Sequence, residues 1–138
     1  MIKELVMDAE VLSTPCEAAT ADDADVAQDL VDTLLSIEDA ACLAANQIGV
    51  TKAIVAYEDE KGVHVMYNPK ILVGLSAYKT QETCLTTPVD TMITRFNKIK
   101  VSYEELVDGE LRPRRRDYTG WVAQMIQHMC DHCQGKLV

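Results

Sequence analysis

The chain has 138 residues, of which 48% are hydrophobic and 25% charged, as in a soluble globular protein long enough to bury a core. Its formal net charge of −9 argues against nucleic acid as the main partner. No apolar run could span a bilayer, and Met1-Ile2-Lys3-Glu4 is not followed by the apolar stretch of a signal peptide, so the chain is expected to be cytoplasmic with no membrane partner.

Residues 1–20 read as an extended N-terminal arm with one proline. Asp22 and Asp23 are candidate N-caps for an amphipathic helix over 23–39, where Val26, Leu30, Leu34 and Ile37 recur at helical spacing. The small-residue stretch Ala40–Val50 follows, ending at Gly49-Val50, with Gln47 as its polar tip. Ala53–Tyr57 and Val63–Tyr67 are short β-like runs around the turn Glu58–Gly62, a hairpin signature. Asn68-Pro69 punctuates that hairpin, and Lys70–Tyr78 continues as strand. Glu82–Pro88 centres on Cys84. Met92–Thr94 and Lys98–Glu104 read as further strands, and Asp108-Gly109 is a tight-turn signal that lets Leu111–Tyr118 pair back. Thr119 is the expected N-cap and Gly135 the expected C-cap of a last helix whose apolar face is Trp121, Val122, Met125, Ile126 and Met129. There is no repeat, low-complexity tract or linker. The class expected is α+β, one domain over 1–138, with strands between an N-terminal and a C-terminal helix.

Arg112-Pro113-Arg114-Arg115-Arg116 is read as a solvated hairpin strand. Pro113 places it at a sheet edge, where positive charge also discourages edge-to-edge pairing. The five cysteines (Cys16, Cys42, Cys84, Cys130, Cys133) are odd in number and read as free thiols or ligands.

His128 and His132 stand at i and i+4, one turn apart on one helix face, a spacing that can hold one metal ion if a third ligand arrives from elsewhere. Taken alone, the pair reads equally well as surface or core histidines, and Cys84 as a buried thiol. Three segments in order make the pattern specific: Leu43-Ala44-Ala45-Asn46-Gln47-Ile48-Gly49-Val50, Glu82-Thr83-Cys84-Leu85-Thr86, and Gln127-His128-Met129-Cys130-Asp131-His132. Together they resemble the peptide deformylase family, whose motifs have the forms G-x-G-L-A-A-x-Q, E-G-C-L-S and Q-H-E-x-D-H. Tyr67-Asn68-Pro69-Lys70-Ile71 and Gly120-Trp121-Val122-Ala123 add smaller agreements.

The resemblance implies antiparallel β-sheets around a C-terminal metal-binding helix, and hydrolysis of the formyl group from formyl-methionyl peptides or nascent-chain N-termini. It implies Cys84, His128 and His132 as ligands of one divalent ion, Fe(II) by family usage, with zinc or nickel able to substitute. It implies Gln47 and the backbone N–H of Leu85 as stabilisers of the developing oxyanion. Ala41, Cys42, Trp121, Gln124 and Met125 would line the pocket for the substrate's methionine, and Glu82 would pair with Arg95. Glu82 is expected to project away from Cys84 along its strand. Cys42 is read either as gap filler or as a thiol approaching the metal; Cys130 and Cys133 point elsewhere. Four positions depart from the family pattern: Ala40, Cys42 and Thr83 replace glycines, and Met129 replaces the glutamate that serves as general base. Two readings follow, a deformylase of impaired or altered activity and a catalytically inactive relative that binds metal and peptide N-termini.

Overall fold

A computed structural model describes the backbone over residues 1–138 and the side chains of all but residues 87–91. Thr87 and Pro88, the tail of the Cys84 segment, therefore lie outside the described side chains. The helices are α1 (Ala9–Leu12), α2 (Ala24–Ser36) and α3 (Gly120–Cys133). The strands are β1 (Cys42–Ala44), β2 (Ile54–Asp59), β3 (Gly62–Cys84), β4 (Thr87–Val107) and β5 (Glu110–Thr119). They form one antiparallel sheet in the order β1-β2-β3-β4-β5. Among the described residues, no helix is long and apolar enough to cross a membrane.

Two faces of the sheet carry two cores. Val55 and Tyr57 turn toward α3 and join Met66, Ile99, Val101, Ala123, Met125, Ile126 and Met129. Ile54 and Ala56 alternate to the other face and pack with Leu30, Leu34, Leu43 and Ile48 beside α2. Double-sided burial explains why Ile54–Tyr57 is an unbroken apolar run instead of an alternating one.

The strands are longer than the sequence pattern suggests. Val63–Tyr67 and Lys70–Tyr78 belong to one strand, as do Met92–Thr94 and Lys98–Glu104. Asn68-Pro69 does not end β3; it is a bulge, with the register shifting between Tyr67 and Lys70. Asn68 takes φ 52°, a conformation asparagine tolerates. Its side chain exchanges two hydrogen bonds with the Ala19 backbone and donates to Glu104 Oε1 at 2.8 Å. Asp108 and Gly109, both at positive φ, form the two-residue turn between β4 and β5. The Arg-rich strand β5 is an edge, with Arg114 paired to Glu105 at 3.0 Å.

The arm is not wholly extended. It contains α1, and its Cys16 N–H donates to Cys133 O at the end of α3 at 2.8 Å. Asp23 occupies the N-cap of α2, as expected, but makes no side-chain cap bond there because it serves the turn before it. Thr20 caps a 3₁₀ turn, Ala21–Asp23, and Asp23 reaches back to the Thr20 N–H in a capping box. Thr119 occupies the N-cap of α3 but makes no side-chain cap bond.

Gly135 sits one residue past the C-cap, with Gly135 N–H donating to His132 O and Lys136 N–H to Asp131 O, a Schellman motif. Its φ is +77°, and a Cβ there would lie 2.5 Å from Ser13 O. Gly135→Ala is expected to lose about 1–3 kcal/mol in urea unfolding, from the left-handed backbone and the clash with the arm. An unchanged midpoint would show that the arm does not dock there.

Candidate metal centre

The long β3–β4 ribbon carries Cys84 to α3. It closes at Cys84↔Thr87, so the thiol stands at the ribbon's tip, facing the helix stripe that bears His128 and His132. Cys84 Sγ lies 3.3 Å from His132 Nε2, and the two Nε2 atoms are 3.1 Å apart. The ligand atoms of all three residues fall within 4.8 Å of one another. The two imidazoles meet edge to face, their centroids 4.7 Å apart, both buried.

The surroundings assign the tautomer of one ring. His128 Nδ1 is 2.8 Å from Glu82 Oε1, so Nδ1–H donates to the carboxylate and Nε2 faces the centre. Glu82 is held in turn by Arg95, through Nη2 to Oε1 at 2.7 Å and Nε to Oε2 at 2.9 Å, and by Gln124 Nε2 to Oε2 at 2.8 Å. Arg95 also pairs with Asp131. The expectation that Glu82 projects away from the ligands is wrong. Glu82 stands two positions before Cys84, so both lie on one face of the strand, and its carboxylate orients His128.

Electrostatics favour a thiolate at Cys84 beside a positive charge on the imidazole side. Burial alone would raise the Cys84 thiol, but hydrogen bonds from His128 and His132 and the His132 charge hold it at about 4. Burial would likewise lower His128, and Cys84 and Glu82 overcome it and raise it to about 9. Glu82 is held well below the usual carboxylate range: burial works against ionisation, and bonds from His128, Arg95 and Gln124 outweigh it.

The donor set fits a divalent first-row ion. Nitrogen lone pairs 3.1 Å apart, beside a thiolate, repel unless a proton or cation sits among them. One thiolate and two imidazoles leave an open position in a tetrahedral site.

A cleft of about 440 Å³ opens on this centre. Ala41, Cys42, Gln47, Cys84, Leu85, Trp121, Gln124, Met125 and His128 all line it, so the sequence-expected pocket residues are gathered on one surface. His132 lies beneath, 1% exposed. Gln47 is engaged: Oε1 accepts from Ala44 N–H at 2.9 Å, and Nε2 donates to Cys84 Sγ and Thr86 Oγ1, both at 3.1 Å. Trp121 stands at the cleft with 63% of its surface exposed. Cys42 shares the wall without joining the ligand cluster. Burial, then the charges of Cys84 and Glu82, push its thiol up to about 12, so it is neutral. Cys130 lies in the α3-side core and Cys133 faces Cys16, both apart from the ligands.

Met129 is completely buried in the α3-side core. Among the described residues the only carboxylates lining the cleft are Glu82, fully engaged, and Asp39 at the exposed end.

Sequence reasoning passed over Asn46, whose Nδ2 donates to His132 O at 2.8 Å, and Thr86, the partner of Gln47. The available signal was a polar residue within an otherwise small apolar stretch, and a hydroxyl two positions after the cysteine.

The sequence profile of the family described as polypeptide deformylase matches residues 2–138. A peptide deformylase of Clostridium beijerinckii is 36% identical over 100% of both chains. The crystal structure of a peptide deformylase from Legionella pneumophila superposes with a TM-score of 0.85 at 27% identity, covering 99% of this chain and 83% of that one. A Met-Ala-Ser-bound deformylase of Acinetobacter baumannii shares the fold at a TM-score of 0.84 and 21% identity, covering 99% and 97%.

Proposed function

This chain belongs to the peptide deformylase family, and from that we propose that residues 1–138 form one metallohydrolase domain that removes the N-formyl group from formyl-methionyl peptides, with turnover limited by Met129. The carrying observation is the convergence of Cys84 Sγ and the two histidine Nε2 atoms at the floor of the cleft. The substrate is a peptide or nascent-chain N-terminus met in the cytoplasm, in keeping with the peptide-bound relative.

Cys84, His128 and His132 would hold one divalent ion, Fe(II) by family usage, with zinc or nickel as substitutes. When bound, the ion supplies Lewis acidity at its open position. Gln47 and the backbone N–H of Leu85 receive the carbonyl oxygen as it gains charge. For this, Gln47 turns one N–H away from Cys84 or Thr86. Ala41, Cys42, Trp121, Gln124 and Met125 contact the methionine side chain. Met129 has no proton to accept or give. Glu82 does not replace it, because both its oxygens are already bonded.

The test is formate release from a formyl-Met-Ala-Ser peptide by the metal-loaded protein. Release is expected above the rate with free metal ion, and Cys84→Ser is expected to bring it down to that rate. Release indifferent to Cys84→Ser would place the chemistry elsewhere. The buried Met129 favours a second reading, a catalytically silent protein that binds metal and peptide N-termini. Calorimetry showing peptide binding without formate would select it.

A further inference from the structure

Gln124 is a polar residue on a cleft wall otherwise built from Ala41, Met125 and Trp121. Its bond to Glu82 accounts for it. Gln124, His128 and His132 stand at successive four-residue steps and form one stripe along α3. Gln124 Nε2 donates to Glu82 Oε2 at 2.8 Å, and Glu82 Oε1 accepts from His128 Nδ1 at 2.8 Å. These bonds run from the helix to the strand and back to the helix one turn later. They join α3, which bears two ligands, to β3, which bears the third.

Glu82 is 9% exposed and accepts four bonds, two from Arg95 and one each from His128 and Gln124. Arg95 holds the carboxylate from the ribbon side. Gln124 holds it from α3, as a second donor to Oε2. Without that donor, Oε2 keeps only the Arg95 Nε bond, and the carboxylate can pivot about the guanidinium and away from His128 Nδ1. Glu82 stands two residues before Cys84 on β3, so a backbone shift at Glu82 is passed along the strand to the thiol.

We propose that Gln124 is a positioning residue of the metal centre, clamping Glu82 so that His128 presents Nε2 and Cys84 presents Sγ to the ion. This rests on Cys84, His128 and His132 being the ligands. Gln124 thereby has a role beyond contact with substrate. Partners of this kind change metal affinity by about 10–100-fold when removed.

The experiment is titration of the full chain with Co(II), read by the thiolate-to-metal charge-transfer band and the ligand-field bands, beside apo-protein unfolding. Gln124→Met, close in shape but without a donor, is expected to weaken Co(II) binding by about 10–100-fold and shift the ligand-field bands. Gln124→Lys restores a donor to Oε2 and is expected to recover most of the affinity. A Gln124→Met protein with wild-type affinity and spectrum overturns the proposal. So does equal weakening in both variants with a matching loss of apo stability, which would mark a packing role. A wild-type protein showing no charge-transfer band removes the ligand assignment itself, and the proposal with it; that result is read before any variant is made.

Discussion

Met129→Glu is expected to raise formate release from formyl-Met-Ala-Ser by about 10²–10⁴-fold, the range a positioned general acid–base contributes. The position directly follows the candidate ligand His128 on α3, where the family motif has its glutamate. Met129 is 0% exposed, and this cuts two ways. A glutamate in its place loses solvation, which raises its pKa toward the operating pH and suits it to passing a proton. The same desolvation costs stability, on the order of 1–3 kcal/mol, and the loss should appear in urea unfolding. Met129→Gln separates the two effects, since it brings a similar polar cost without a base. If Gln and Glu variants turn over at the same rate, proton transfer is not what limits this chain.

Arg95→Met is expected to destabilise the protein by about 3–5 kcal/mol. Arg95 is 3% exposed and is shared by Glu82 and Asp131, while Lys136 reaches Asp131 only at 3.6 Å from the surface. Its removal leaves Glu82 buried without the guanidinium that supplies two of its four bonds. The sign of the pH dependence follows. Glu82 is depressed in the folded wild type, so its contribution is present above the ordinary carboxylate range and is lost only as pH falls well below it. In the variant Glu82 protonates at higher pH, which relieves the unpaired charge. The gap between wild type and variant, followed by denaturant unfolding, should therefore be widest near neutrality and narrow on acidification. A gap that is flat with pH would show that Arg95 acts through packing of its stem alone.

The site was legible as residue types and spacing. The i and i+4 spacing of His128 and His132 needs only the pitch of a helix, whereas Cys84 in its Glu-Thr-Cys-Leu-Thr setting and Gln47 beside Gly49 became site candidates through the family resemblance. Local turn chemistry was legible for similar reasons: Asp108-Gly109 takes the positive φ angles of its turn, and Gly135 closes α3. The lengths of β3 and β4 were not, because Asn68-Pro69 reads locally as a break and becomes a bulge only when Ala19 and Glu104 arrive to bind the Asn68 side chain. Asp23 does occupy the N-cap of α2, but its carboxylate reaches back to the Thr20 backbone and makes no cap bond to α2 itself.

The sequence by itself determined the family, the candidate ligands and the missing carboxylate at Met129, since these depend on residue types at fixed spacing. Beyond the Glu82–Arg95 pair that the resemblance implied, only the tertiary structure decided which groups act on the candidate ligands. Glu82, Gln124, Arg95 and Asn46 are joined to the centre by hydrogen bonds between segments far apart in the chain, and which donor meets which acceptor is set by how the β3–β4 ribbon packs against α3.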